Sequence, residues 1–415
     1  MRPNHSLMAL ALITATVTPA RADTVCEWME FADIVQTAAA PASAMGKPGE
    51  HDRAMTQTAL AMFEALNAID RRYESYLGMP AADRTASLDA AAANAAYRVL
   101  LAHFPSQKTA LDESHAMALQ AVGDEKARVA GQAIGDAAAA MALRGGQIDP
   151  SVKQMPYLPR AQSGVWVPTQ LPVFAPHAIA FKPWILPKVD AVRPAPPPSM
   201  GSARWAQDYD EVKRVGGKAS RERTPHQSLM ARYRITPNMM PTMRLAADAP
   251  GRRAVQNARM FAMSGMILDD ALMATAEAKL HYNFWRPVTA IRNGNDDDNP
   301  ATAPDAAWEP LIATPNHPEY PCGHCTMAGA VGEYMTAEIG AQPPAGVRVS
   351  SRSIANSAVQ ALPSWDEWVR QVNYSRTLGG VHYRFSNEAG EEVGRRVARM
   401  ALAKIMRPLP ARRAR

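Results

Sequence analysis

The sequence predicts an all-α protein, a helical bundle, on three observations. Alanine, leucine and methionine are plentiful, and these residues favour helix over strand. Apolar residues recur at threes and fours along most of the 415 positions, the spacing of one helix face. Only 347–350 has strand character, far too little for a sheet. With 47% hydrophobic residues the chain can bury a sizeable core.

The elements follow in order. Arg2 and His5, an apolar run from Leu7 to Val17, and small residues at Ala20 and Ala22 read as an export signal over 1–22. Helices are expected at Thr24–Ala40, His51–Tyr73, Ser87–His103 with Ser87 as cap, Thr109–Val122, and Asp124–Leu143 ending at Gly145. They make an N-terminal helical bundle over 23–149. From 150 to 205 prolines dominate and culminate at Pro198, so this connecting segment is ordered loop packed on the surface or a boundary between helical halves. A polyproline ligand for a partner domain is the alternative there.

A C-terminal helical bundle is expected over 206–406, with helices at Ala206–Val215, Thr224–Arg234, Gly251–Tyr282, Gly323–Ile339, Trp365–Leu378 and Ser386–Met406. In the third of these, Val255, Ala258, Ala262, Met263, Met266, Ile267, Met273 and Ala274 form a core stripe. Asp296, Asp297 and Asp298 read as a solvated loop, because no spaced glutamate completes a calcium site. The tail 407–415 is basic and solvated.

The net charge of +6 falls to +4 once Arg2 and Arg21 leave with the signal. That suits a small anionic substrate and is too weak to argue for nucleic acid. No later stretch reaches the roughly 20 apolar residues a membrane helix needs. Oligomeric state stays open, a homo-oligomer included. Cys26, Cys322 and Cys325 allow one bridge and one free thiol without choosing the pair.

Three stretches of the C-terminal third carry the chemistry. Lys279 and Arg286 stand seven apart, so both face one way if the helix continues. Pro321, Cys322 and Gly323 turn into a helix, whose first N–H groups lack partners and favour an anion, with His324 in its first turn as acid or base. Ser375 and Arg376 precede a glycine pair and then His382, placed to attack phosphorus or ligate a metal. Guanidinium forks bind oxyanions in pairs, and a lysine adds a point charge.

These residues resemble the superfamily of type 2 phosphatidic acid phosphatases and vanadium-dependent haloperoxidases, with its motifs K-x6-R-P, P-S-G-H and S-R-x5-H-x3-D. The chain offers Lys279 to Arg286-Pro287, then Pro321-Cys322-Gly323-His324, then Ser375-Arg376 with five residues before His382. FWRP, PEYP and GVHYRF are similar to the soluble haloperoxidase branch.

The resemblance implies two four-helix bundles with the anion in the second. It makes Lys279, Arg286 and Arg376 the oxyanion clamps, Cys322 and Gly323 further oxyanion-binding groups, and His324 the acid/base residue. His382 becomes the vanadium ligand or phosphoryl nucleophile. Cys322 stands where the family has serine, and a thiol is the weaker donor and is oxidisable. Ser386 stands where the family has aspartate and is expected to cap the last helix, with Glu388 close enough to stand in.

Two reactions fit this pocket. A haloperoxidase would hold vanadate on His382 and oxidise halide or a similar nucleophile with hydrogen peroxide. An acid phosphatase would need no cofactor and would cleave phosphomonoesters through a phospho-histidine. The oxidisable cysteines argue for the phosphatase, while the flanking sequence and lack of membrane spans argue for the peroxidase, the reading preferred here. Thiol–disulfide exchange at Cys322 and Cys325 is a third reading, and an inactive binding protein a fourth.

Overall fold

The computed structural model describes residues 23–39, 50–145, 158, 160–170 and 180–410. The expected export signal, part of the proline-rich segment and the tail from 411 lie outside the described residues. The organising element is α9 (Ala254–Tyr282). Val255, Ala258, Ala262, Met263, Met266, Ile267, Met273 and Ala274, the whole expected stripe, are buried. So are Met260 and Ala271. A helix apolar on this many sides must sit inside, and α9 packs against α2 (Glu50–Ile69) on one side and against α11 (Gly323–Ile339) and α13 (Arg384–Lys404) on the other.

Around α2 stand α1 (Thr24–Ala39), α3 (Leu88–His103), α4 (Lys108–Gln120) and α5 (Glu125–Arg144). Ser87 and Asp124 cap α3 and α5 by accepting N–H groups from the first turn. Around α11 and α13 stand α6 (Ala203–Gly216), α7 (Pro225–Tyr233), α8 (Met240–Ala247) and α12 (Trp365–Leu378). One hydrophobic cluster runs from Trp28 of α1 through Met263 of α9 to Trp368 of α12. The fold is all-α, as expected.

Close approach of α11 to α13 depends on missing side chains. A Cβ at Gly390 would strike the carbonyl of Cys322, and one at Gly394 the carbonyl of Thr326. These two glycines let the start of α11 lie directly on α13, which carries His382 just ahead of it.

The described part of the proline-rich segment is ordered loop packed on its own chain. Asp270 of α9 accepts the N–H groups of Trp184, Ile185 and Leu186. The hydroxyls of Tyr282 and Tyr320 donate to the carbonyls of Pro194 and Ala195, which counts against a free polyproline ligand. Asp297 is buried and accepts from Trp205 Nε1 and Thr302 Oγ1, while Asp296 and Asp298 face solvent. Among the described residues no cluster of His, Cys, Asp or Glu could hold a metal ion.

Three expectations need correction. A small sheet exists: β1 (Pro237–Asn238), β2 (Val347–Ser351) and β3 (Gln360–Leu362) pair antiparallel, with Pro237 opposite Ser351 and Val347 opposite Leu362. Two- and three-residue strands are too short to show a period, so only β2 was legible. The helix bearing Lys279 ends at Tyr282, where Asn283 takes the left-handed conformation at φ 45°. Arg286 is instead the residue before α10 (Pro287–Arg292), whose first position is the proline. Ser386 does not cap the last helix, which starts at Arg384 after Tyr383, so Ser386 lies inside its first turn.

Candidate active site

Each site loop is anchored by an aromatic neighbour in sequence. Trp285 precedes Arg286, Tyr320 follows Glu319 and Tyr383 follows His382, and all three rings sit in one buried cluster with Trp205, Phe284 and Phe385. Trp205 lies 5.0 Å from Tyr383 and 5.9 Å from Trp285, centroid to centroid. Burying such a ring is worth about 1.5–3 kcal/mol, and ring pairs add about 0.5–1.5 kcal/mol. The three loops are therefore held together by these aromatic neighbours of the polar residues.

Arg286 is fully buried and connects two loops. Its Nε donates to the carbonyl of His317 at 3.0 Å and its Nη1 to the carbonyl of Val381 at 2.8 Å. Nη1 also lies 3.2 Å from His382 Nε2, and Nη2 lies 3.0 Å from His317 Nδ1. Burial pulls the guanidinium down to about 10. Arg376, in the last turn of α12, is equally buried and pulled down to about 9 by burial and by Arg286. Its Nε and Nη1 have no acceptor.

Lys279 is placed differently from the clamp that the motif implied. Its ammonium donates to the carbonyls of Pro318 at 3.0 Å, Glu319 at 2.7 Å and Pro321. An ammonium has three N–H bonds, so all are committed to fastening the 318–321 loop. Its charge still adds to the field felt by His317, His324 and His382.

Cys322 is also corrected. It is bonded to Cys325, and its Sγ accepts the Cys325 N–H at 3.2 Å as the cap of α11. A bridged sulfur has no proton to donate, and the Cys322 N–H goes to the Ser386 carbonyl. The donors left at this helix start are the first-turn N–H groups of Gly323 and His324. A Cβ on Gly323 would meet nothing nearer than Thr275 Cγ2 at 3.9 Å, so the space a side chain would take here is open. Cys26 is the free, buried thiol.

His324 Nε2 lies 2.7 Å from the carbonyl of Ile235 and so carries the proton, which leaves Nδ1 as its basic atom. Ile235 is held by the sheet, since Arg352 N donates to the carbonyl of the next residue, Thr236. Burial, then Arg376, lowers His324 to about 3.

His382 is lowered well below the ordinary imidazole range by burial and by Arg286, Lys279 and Arg376. Its Nδ1 lies 2.7 Å from Glu319 Oε1. Burial raises the Glu319 carboxyl to about 7, against the lowering effect of Arg286 and Lys279. Glu388 does not stand in for the family's aspartate, because it points outward and pairs with Arg204 at 2.8 Å.

The structure thus brings Arg286, Arg376, His324 and His382 within electrostatic reach of one another, with Gly323 beside His324 in sequence and Lys279 fastening the 318–321 loop. Sequence reasoning missed Glu319 and His317, both in the HPEYP segment. The signal available for Glu319 was a lone carboxylate beside the central motif where Ser386 left none.

Comparison with known proteins finds a likeness to the vanadium haloperoxidases. Residues 259–410 match the family model for the VCPO second helical-bundle domain. The chain is 31% identical to vanadium chloroperoxidase of Curvularia inaequalis over 80 residues, 18% of this chain and 13% of that relative's length. The crystal structure of the first bacterial vanadium-dependent iodoperoxidase superposes with a TM-score of 0.76 at 19% identity, covering 94% of this chain and 98% of that one. An apo-type bacterial vanadium-dependent chloroperoxidase gives 0.64 at 17% identity, covering 84% and 91%. The likeness to the soluble haloperoxidase branch is borne out.

Proposed function

We propose that this is an exported vanadium-dependent haloperoxidase-like enzyme, oxidising halide or a similar small nucleophile with hydrogen peroxide at a vanadate on His382. The observation that carries this reading is the buried Arg376, whose two acceptorless nitrogens stand close enough to His324 and His382 to depress both imidazoles. A buried, unpaired guanidinium is expensive, and an oxyanion supplies what it lacks. The residues therefore fit a vanadate or a phosphate.

In this reading Arg376, the one uncommitted Arg286 N–H and the Gly323 N–H hold the oxygens. His382 offers Nε2 as ligand. His324, neutral with Nδ1 free, takes a proton from the peroxide. Bound vanadate supplies Lewis-acid activation of peroxide. The names of the structural relatives favour peroxidase chemistry.

The Cys322–Cys325 bridge answers the objection that oxidant would destroy a free thiol there. It also supports an oxidising compartment, in keeping with the export signal. Both sulfurs are buried, which disfavours thiol exchange, a reaction needing attack on an accessible sulfur.

Phosphomonoester hydrolysis is the second reading, favoured by the carboxylate on His382 Nδ1, which strengthens Nε2 as a nucleophile. The two are separated by assaying halide oxidation by peroxide and phosphate release from p-nitrophenyl phosphate, each with and without vanadate. Vanadate-dependent halide oxidation, abolished in His382→Ala, is the expected result. Phosphate release without any halide oxidation would overturn the peroxidase reading in favour of the hydrolase.

A further inference from the structure

We infer that Glu319 is the positioning residue for His382, in place of a carboxylate at 386, and that it holds the imidazole protonated on Nδ1 with the unprotonated Nε2 facing Arg286. Arg286 Nη1, 3.2 Å from Nε2, can only donate. A neutral imidazole has one N–H, which therefore sits on Nδ1 and points at Glu319 Oε1, 2.7 Å away.

Glu319 is itself rigidly mounted. Its N–H donates to the Phe284 carbonyl at 2.8 Å and its own carbonyl accepts Lys279 Nζ. Its Oε1 also takes the Tyr383 N–H at 3.2 Å, so one oxygen fixes both the ring and the backbone beside it. Glu319 Oε2 and Ser386 Oγ are buried without a well-formed partner, and Ser386 neighbours the Glu319 carboxylate and stabilises it. The carboxylate that meets His382 thus comes from the loop before α11, and Ser386 in the first turn of α13 supplies none. A partner on the remote ring nitrogen fixes tautomer and ring direction.

The choice of bound ion rests on the proposed function, whereas the tautomer does not. Histidine-selective ¹⁵N NMR on the full chain without vanadate, with signals assigned by His382→Ala, reads the tautomer directly. The expected result is His382 as the Nδ1–H form, lost or mixed in Glu319→Ala and recovered in the Glu319→Ala/Ser386→Asp double variant. Calorimetric titration with inorganic vanadate and inorganic phosphate should weaken roughly 10- to 100-fold in Glu319→Ala and recover in the double variant.

A wild-type His382 protonated on Nε2 overturns the inference, and needs no variant to fold. So does a Glu319→Ala protein with unchanged tautomer and binding. Wild-type protein with the Nδ1–H form but no affinity for either ion would support the inference while refuting the oxyanion function.

Discussion

Replacing Arg376 with methionine should stabilise the ligand-free protein while destroying its affinity for oxyanions. The guanidinium is 1% exposed and leaves Nε and Nη1 without acceptors. Burial and Arg286 lower it from 12.5 to about 9. At neutral pH the group is charged in both folded and unfolded chains, so the full difference opposes folding. At roughly 1.4 kcal/mol per pH unit this is on the order of 5 kcal/mol. Relaxation and water reduce it, so a gain of about 1–4 kcal/mol is expected for an apolar residue of similar length. Urea denaturation without phosphate or vanadate measures the gain, and calorimetry with each ion measures the lost binding. A variant less stable than wild type, or one that still binds either ion, would refute the claim that this arginine is held unpaired for an anion.

Acidification should weaken the apo fold. His317 and His324 are neutral in the fold because burial and the surrounding cations depress them, His324 to about 3. A depressed imidazole contributes stability above 6.5 that is lost as pH falls toward the folded value. His382 moves the same way, and Glu319, raised to about 7, moves oppositely, so that bonded pair offsets itself. The remaining two histidines imply a loss of roughly 3 kcal/mol per pH unit near pH 5; unfolding free energy that stays flat from pH 7 to 5 would contradict it. Gly394→Val should destabilise by about 1–3 kcal/mol and lower activity, since its Cβ would strike the Thr326 carbonyl and push α11 off α13; an unchanged melting temperature would argue against that close contact. Cys322→Ser/Cys325→Ser should keep oxyanion chemistry, because a serine hydroxyl can cap α11 as the sulfur does. Loss of activity despite an intact fold would show that the disulfide itself matters.

Much of the helical framework was legible because helices announce themselves locally. Ser87 and Asp124 sit at helix starts as cap residues, and α11 and α12 begin and end at the expected residues. What failed was short or conformational. The six residues of α10 and the eight of α8 are too few for a period, and the left-handed Asn283 broke the assumed face shared by Lys279 and Arg286. The motif strings also identified side chains without their commitments. Lys279 looked like a clamp until its three carbonyl partners appeared, and Ser386 looked like a cap until Tyr383 was found to end the loop.

By itself the sequence determined an all-α chain and singled out five polar side chains, Lys279, Arg286, His324, Arg376 and His382, as candidates for holding an anion. Residue spacing and chemistry are enough for that. Only the tertiary structure decided which groups are free to act. Glu319 meets His382 across 63 positions and Lys279 meets the Pro321 carbonyl across 42. Hydrogen bonds of that span depend on how helices and loops pack, and no local pattern encodes them.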